Sequence, residues 1–156
     1  KTNSKMPFGR YAKFKKEKKK ASLWKRFCMS CSIIVIDSFR RDAKRLLKKY
    51  ISLKTELEIL QQQLLENPRL GTLIHENVYK IRLAVKSKGK GKSGGMRVIT
   101  HVIDIEIQIE ENTTEQNTSI YLVAIYDKSE MENIRESDLK ALIAEIQEAL
   151  DEEEAG

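Results

Sequence analysis

The chain has 156 residues, of which 33% are charged and 6% aromatic. That length supports one domain with a real core and excludes two comfortable ones, and no apolar run approaches the roughly 18 residues a membrane span needs. The net charge of +6 conceals a segregation: residues 1–27 carry eleven Lys/Arg against one acid, Glu17, whereas residues 129–156 carry two bases against ten acids. Segregation of this kind marks interaction arms and tails rather than a fold.

In chain order, residues 1–30 read as a basic, disordered extension. Phe8, Tyr11, Phe14, Trp24 and Phe27 are scattered among the lysines with no helical period, too little apolar area to offset the entropy of ordering. One reading is a nucleic-acid arm, with lysines on phosphates and aromatics on bases. The plainer reading is an extension translated from upstream of a start at Met29. Cys28 and Cys31 form a lone C-x-x-C, and with only His75 and His101 in the chain they lack partners for a zinc site. Structural or incidental cysteines are expected.

Residues 32–37, SIIVID, predict a buried strand. In SFRRDAKRLLKKY the residues Phe39, Ala43, Leu46, Leu47 and Tyr50 share one helix face, with Asp37 or Ser38 as cap. A second helix follows Ser52, with Leu53, Leu57, Leu60 and Leu64 as its stripe, and Asn67-Pro68 ends it. Three strands come next. Val78–Val85 puts Tyr79, Ile81, Leu83 and Val85 on one side and Lys80 and Arg82 on the other. Met96 to about Glu110 alternates isoleucines with Asp104, Glu106, Gln108 and Glu110, and carries Arg97 and His101 on one face. ENTTEQNTS reads as a loop, and Ile120–Tyr126 as the last strand. A final helix shows Leu139, Leu142, Ile143 and Ile146 on one face, and residues 151–156 read as a solvated acidic tail.

The expected fold is therefore α+β, in the order β-α-α-β-β-β-α. About four strands form an antiparallel-rich sheet, a two-helix hairpin covers one face, and a C-terminal helix follows. The domain spans residues 31–150. A bare opposite face would gather Lys80, Arg82, Arg97 and Lys128, with His101 and Tyr126 nearby. The loop between the first two of the late strands adds Lys86, Lys88, Lys90 and Lys92 and reads as a flexible basic tip. Gly91-Lys92-Ser93 is no phosphate loop, because that motif needs glycine where Lys86 stands, and a helix next rather than a strand. Asp104, Glu106 and Glu110 read as solvated, so the chemistry expected on this face needs no metal or other cofactor. A ribose 2′-hydroxyl attacks its own phosphate, Arg and Lys stabilise the crowded phosphorane, and a nearby acid–base group moves the protons. The acidic tail could also fold back on these cations.

DSFRRDAKRLLKKY, the ENP–GT break, NVYKIRLAVKSKGKGKSGGMRVITHV and IYLVAIYDKSE together resemble toxins of the RelE/ParE superfamily, in its RelE- or HigB-like branch, over residues 33–148. The resemblance implies a RelE-like fold and metal-independent cleavage of ribosome-bound messenger RNA in the bacterial cytoplasm. It also implies a cognate antitoxin protein forming a hetero-oligomer with the toxin, and no membrane partner. It assigns basic catalytic roles to Lys80 and Arg82, a phosphate-stabilising role to Arg97, and a catalytic basic position to Lys128. RelE also uses a tyrosine in its carboxy-terminal segment. None follows Tyr126 here, which leaves Tyr126 and His101 as alternative acid–base groups. Two other readings stay open: a ParE-like toxin that inhibits DNA gyrase without RNA chemistry, and an RNA-binding module without catalysis.

Overall fold

The computed structural model describes residues 12–13, 30–89, 91 and 93–156. The expectations for Cys28, Lys90 and Lys92, and for the basic extension apart from Ala12, Lys13 and Ser30, lie outside the described residues. The elements are β1 (Ala12–Lys13), β2 (Ser30–Val35), α1 (Asp37–Lys49), α2 (Leu53–Glu66), β3 (Thr72–His75), β4 (Val78–Leu83), β5 (Met96–Glu110), β6 (Thr113–Asp127) and α3 (Glu136–Ala155). Five strands and the two-residue β1 form one mixed sheet in the order β1-β2-β6-β5-β4-β3. β2 runs parallel to β6, and the other neighbours are antiparallel.

The α+β class is as expected, but the strand count and order are not. β3 is an added edge strand that turns back into β4 through Glu76 and Asn77, the latter at φ 55°. Its four residues are too few to show alternation, so the sequence hides it. The polar run after Glu110 is a hairpin loop only at Glu111 and Asn112, and from Thr113 on it is strand. Thr114, Gln116 and Thr118 pair with Gln108, Glu106 and Asp104, so the partner strand and not the local hydropathy makes it extended. The acidic tail continues α3 to Ala155. Neither Asp37 nor Ser38 caps α1; Ile36 holds the cap position, Asp37 pairs with Arg40 at 2.9 Å, and the Ser38 hydroxyl reaches the Val123 carbonyl at 3.5 Å.

Two cores result, one on each face of the sheet. On the first face Phe39, Ala43 and Leu46 of α1 and Leu53, Leu57, Leu60 and Leu64 of α2 pack on Ile33, Ile81, Val98, Ile120, Leu122 and Ile125. These are the helical stripes expected from their spacing. On the second face Leu139 and Ile146 of α3 pack on Val78, Ile99, Tyr121, Val123, Ala124 and Tyr126. The second face is therefore not bare. α3 covers it with a core that includes Val78 of β4, Ile99 of β5 and Tyr121 of β6, and Arg82 at the end of β4 is left exposed. Among the described residues no helix is long and apolar enough to cross a membrane.

Gly95 shows how tightly β4 and β5 meet at the foot of the lysine loop. A Cβ built there would lie 2.1 Å from the Leu83 carbonyl oxygen. Gly95→Ala is expected to cost about 1–3 kcal/mol of stability through this overlap, read as a lower urea midpoint with an unchanged slope.

Candidate nucleic-acid interface

Strand register decides which cations meet. Arg82 lies directly opposite Arg97, and Arg97 directly opposite Tyr126, so these three form one row across β4, β5 and β6. Lys80, two residues from Arg82, shares that face. Val78, His101 and Tyr121 form a second row on the same face, roughly 13 Å along β5 from the first. Lys128 follows the end of β6, and its backbone N–H donates to the Gly95 carbonyl at 3.2 Å.

The row is graded in exposure. Arg82 is exposed and Lys80 half-buried, with Lys80 Nζ donating to Asn133 Oδ1 at 3.3 Å. Arg97 is only 4% exposed. Its guanidinium donates to the carbonyls of Met96 (3.2 Å) and Ser93 (3.1 Å), so it braces the backbone entering β5. Tyr126 is buried, with its hydroxyl beside the Ile134 backbone but in no hydrogen bond of standard geometry. Burial pushes that hydroxyl above its usual pKa, against the pull of Ile134 and Arg97, so Tyr126 stays protonated at neutral pH. His101 is pushed down, chiefly by burial, and its ring is neutral at the same pH. A shallow cleft of about 380 Å³ opens beside the row, between His75, Lys80, Tyr126, Asn133 and Glu136.

The described start of the loop after β4 is held against α2. Lys86–Lys88 form a 3-10 turn. The Lys86 N–H donates to Glu56 Oε1 at 2.6 Å, and the Ser87 N–H to Ser52 Oγ at 2.9 Å, with the two serine hydroxyls 2.9 Å apart. Lys86 keeps its side chain in solvent. Lys88 does not: its side chain is 7% exposed and pairs with Asp127, which is 0% exposed. Asp127 also accepts from the Tyr50 hydroxyl (2.6 Å), the Ser129 N–H (2.9 Å) and the Ser129 hydroxyl (2.8 Å). Burial acts to raise the Asp127 pKa, but Lys88, Tyr50 and Ser129 outweigh it and hold the carboxyl well below the carboxylate range. Lys88 is thus a structural cation rather than a free RNA contact. Three residues on, Glu130 bridges Arg45 (3.0 Å) and Lys49 (3.3 Å) of α1.

Asp127, Tyr50, Ser129, Ser52 and Ser87 were invisible to sequence reasoning. Tyr50 is 77 residues from Asp127, and no local pattern announces the pairing. Asp104 likewise is not simply solvated. It pairs with Arg69, accepts from the Thr118 hydroxyl at 2.7 Å, and is held below its usual pKa because these partners outweigh burial. Among the described residues no three His, Cys, Asp or Glu side chains gather into a metal-binding group. Compared with known proteins, the chain matches no family model and no solved structure.

Asp127→Asn is expected to lower stability at pH 7 by about 3–5 kcal/mol, because it leaves the Lys88 ammonium buried without its counter-charge. Since the folded carboxyl sits below its ordinary 3.8, the wild-type advantage is full above that pH and shrinks as pH falls below it. Urea melts of both proteins between pH 7 and pH 2 give the comparison. His101 acts in a different window. Its folded pKa lies below its ordinary 6.5, so the unfolded chain takes up the proton first and stability declines as pH drops through 6.5. His101→Gln is expected to flatten that part of the profile.

Proposed function

We propose that this protein is the toxin of a type II toxin–antitoxin pair, RelE/HigB-like, which cleaves ribosome-bound messenger RNA in the bacterial cytoplasm without a metal and is silenced in a complex with its antitoxin. One observation carries the reading: Arg82 and Arg97 face each other across β4 and β5, with Lys80 on the same side. Cations this close are unfavourable next to one another and favourable around a polyanion.

In this reading Arg82 meets the scissile phosphate, where its forked donors match the oxygens of a phosphorane. Lys80 adds charge from the neighbouring position. Arg97 lends its charge from beneath while holding the carbonyls of Ser93 and Met96. The 2′-hydroxyl loses its proton to solvent water as its oxygen bonds to phosphorus, the bond to the 5′-oxygen breaks and that oxygen takes up a proton, and a 2′,3′-cyclic phosphate results. Of the two acid–base candidates, Tyr126 stands in the row with the arginines and is protonated, which suits donation to the leaving oxygen. His101 lies a row away.

The burial of Arg97 and Tyr126 favours one alternative, an RNA-binding module that grips without cutting. Primer extension on a reporter message in a translating extract separates the readings. Arg82→Ala, which alters an exposed side chain, is expected to reduce cleavage about 100-fold or more and to abolish growth arrest. Translation blocked with no new 5′ ends would instead establish binding alone, and loss of supercoiling by purified gyrase would establish the ParE-like reading.

A further inference from the structure

The far end of the molecule has the opposite character. Beyond the residues that pair with β2 and β4, the β5–β6 hairpin continues as a two-stranded ribbon. One face of β5 there carries Ile105 and Ile107, exposed by 42% and 46%, and Ile109, exposed by 51%, follows at the register shift between Gln108 and Glu110. Ile103, next in line, packs against the α3 core. The apolar row of that core thus runs off the end of α3 into solvent. An isolated ribbon with one apolar face is marginal by itself and is a ready surface for association.

Its charge is one-sided. Residues 104–119 hold Asp104, Glu106, Glu110, Glu111 and Glu115 and no base, and residues 141–156 hold six acids and no base. The two segments converge, since Ile146 and Leu150 of α3 belong to the same packed cluster as Tyr121 and Ile103. The acid-rich end of α3 therefore sits at the base of the acid-rich ribbon.

We propose that the Ile105–Ile107–Ile109 face is a docking surface for a basic amphipathic helix of a partner protein, laid along the ribbon in continuation of the α3 layer. A helix fits because α3 already covers this face by the same helix-on-sheet packing. From Ile103 to Ile109 the row is about 20 Å long, which a helix of about 14 residues would span. Basic flanks fit because every charge on the ribbon is negative. That uniform charge opposes a second ribbon packed symmetrically on the first, and it opposes RNA. The inference stands on the hairpin alone and is independent of the chemistry proposed at the other end.

A fluorescein-labelled helical peptide of about 14 residues, with leucines on one face and lysines on the flanks, tests it by fluorescence anisotropy with the full chain. The same peptide with glutamates serves as control. The lysine peptide is expected to bind and the glutamate peptide not to. Ile105→Thr/Ile107→Thr, which keeps charge and strand preference, is expected to weaken binding roughly tenfold or more with an unchanged circular dichroism spectrum. Equal affinity for the double variant would reduce the attraction to bulk charge and overturn the proposal, as would no binding at all. Sedimentation showing an associated wild type and a monomeric double variant would also overturn it, by giving the surface to a second copy of this chain.

Discussion

The buried pair of Lys88 and Asp127 sets the basic end of this molecule. Taking both charges out of water is costly, and the cost is met only when the geometry is closely satisfied. Here Tyr50 and the Ser129 N–H and hydroxyl complete the carboxylate's hydrogen bonds. Three separate pieces of chain are thereby fixed to one another: the end of α1, the turn after β4 and the end of β6. Around that point, Ser52 and Glu56 secure the 3-10 turn, and Glu130 secures Arg45 and Lys49. Without the pair, the loop bearing Lys86 would be held beside the Arg82–Arg97 row only by Glu56 and Ser52 of the α2 start.

The sheet divides the protein's charge as well as its core. The cations gather where β4 enters its loop, and the acids gather on the distal ribbon and the end of α3. A polyanion is drawn to one end and repelled from the other. β5 joins the two, because its odd-numbered face passes from Arg97 through Ile99 and His101 to the exposed isoleucines. The tail expected to screen the basic face instead continues α3 as helix to Ala155.

The ribbon is anchored at its base by a second polar contact. Arg69, just past α2, pairs with Asp104 of β5, and Thr118 of β6 donates to the same carboxylate. Cys31 of β2 stands next in that row, its thiol raised by burial and then by Asp104. The layer on the first face thus reaches as far as Asp104, while on the opposite face the isoleucines past Ile103 lie beyond the α3 core.

Periodicity was legible in the sequence because it is a local property. The stripes of α1 and α2, the bounds of β5 and the shared face of Lys80, Arg82 and Arg97 follow from repeats of 3.6 and 2. What depends on distant partners was not legible. The polar residues from Thr113 on are extended because β5 lies beside them, and β3 exists because β4 offers an edge. Arg97 and Lys88 look alike as sequence, two basic residues near a glycine loop. Tertiary structure alone turned one to brace a backbone and buried the other against a carboxylate 39 residues away. Side-chain alternation is written into adjacent residues, whereas burial is conferred by whatever chain segment arrives on top.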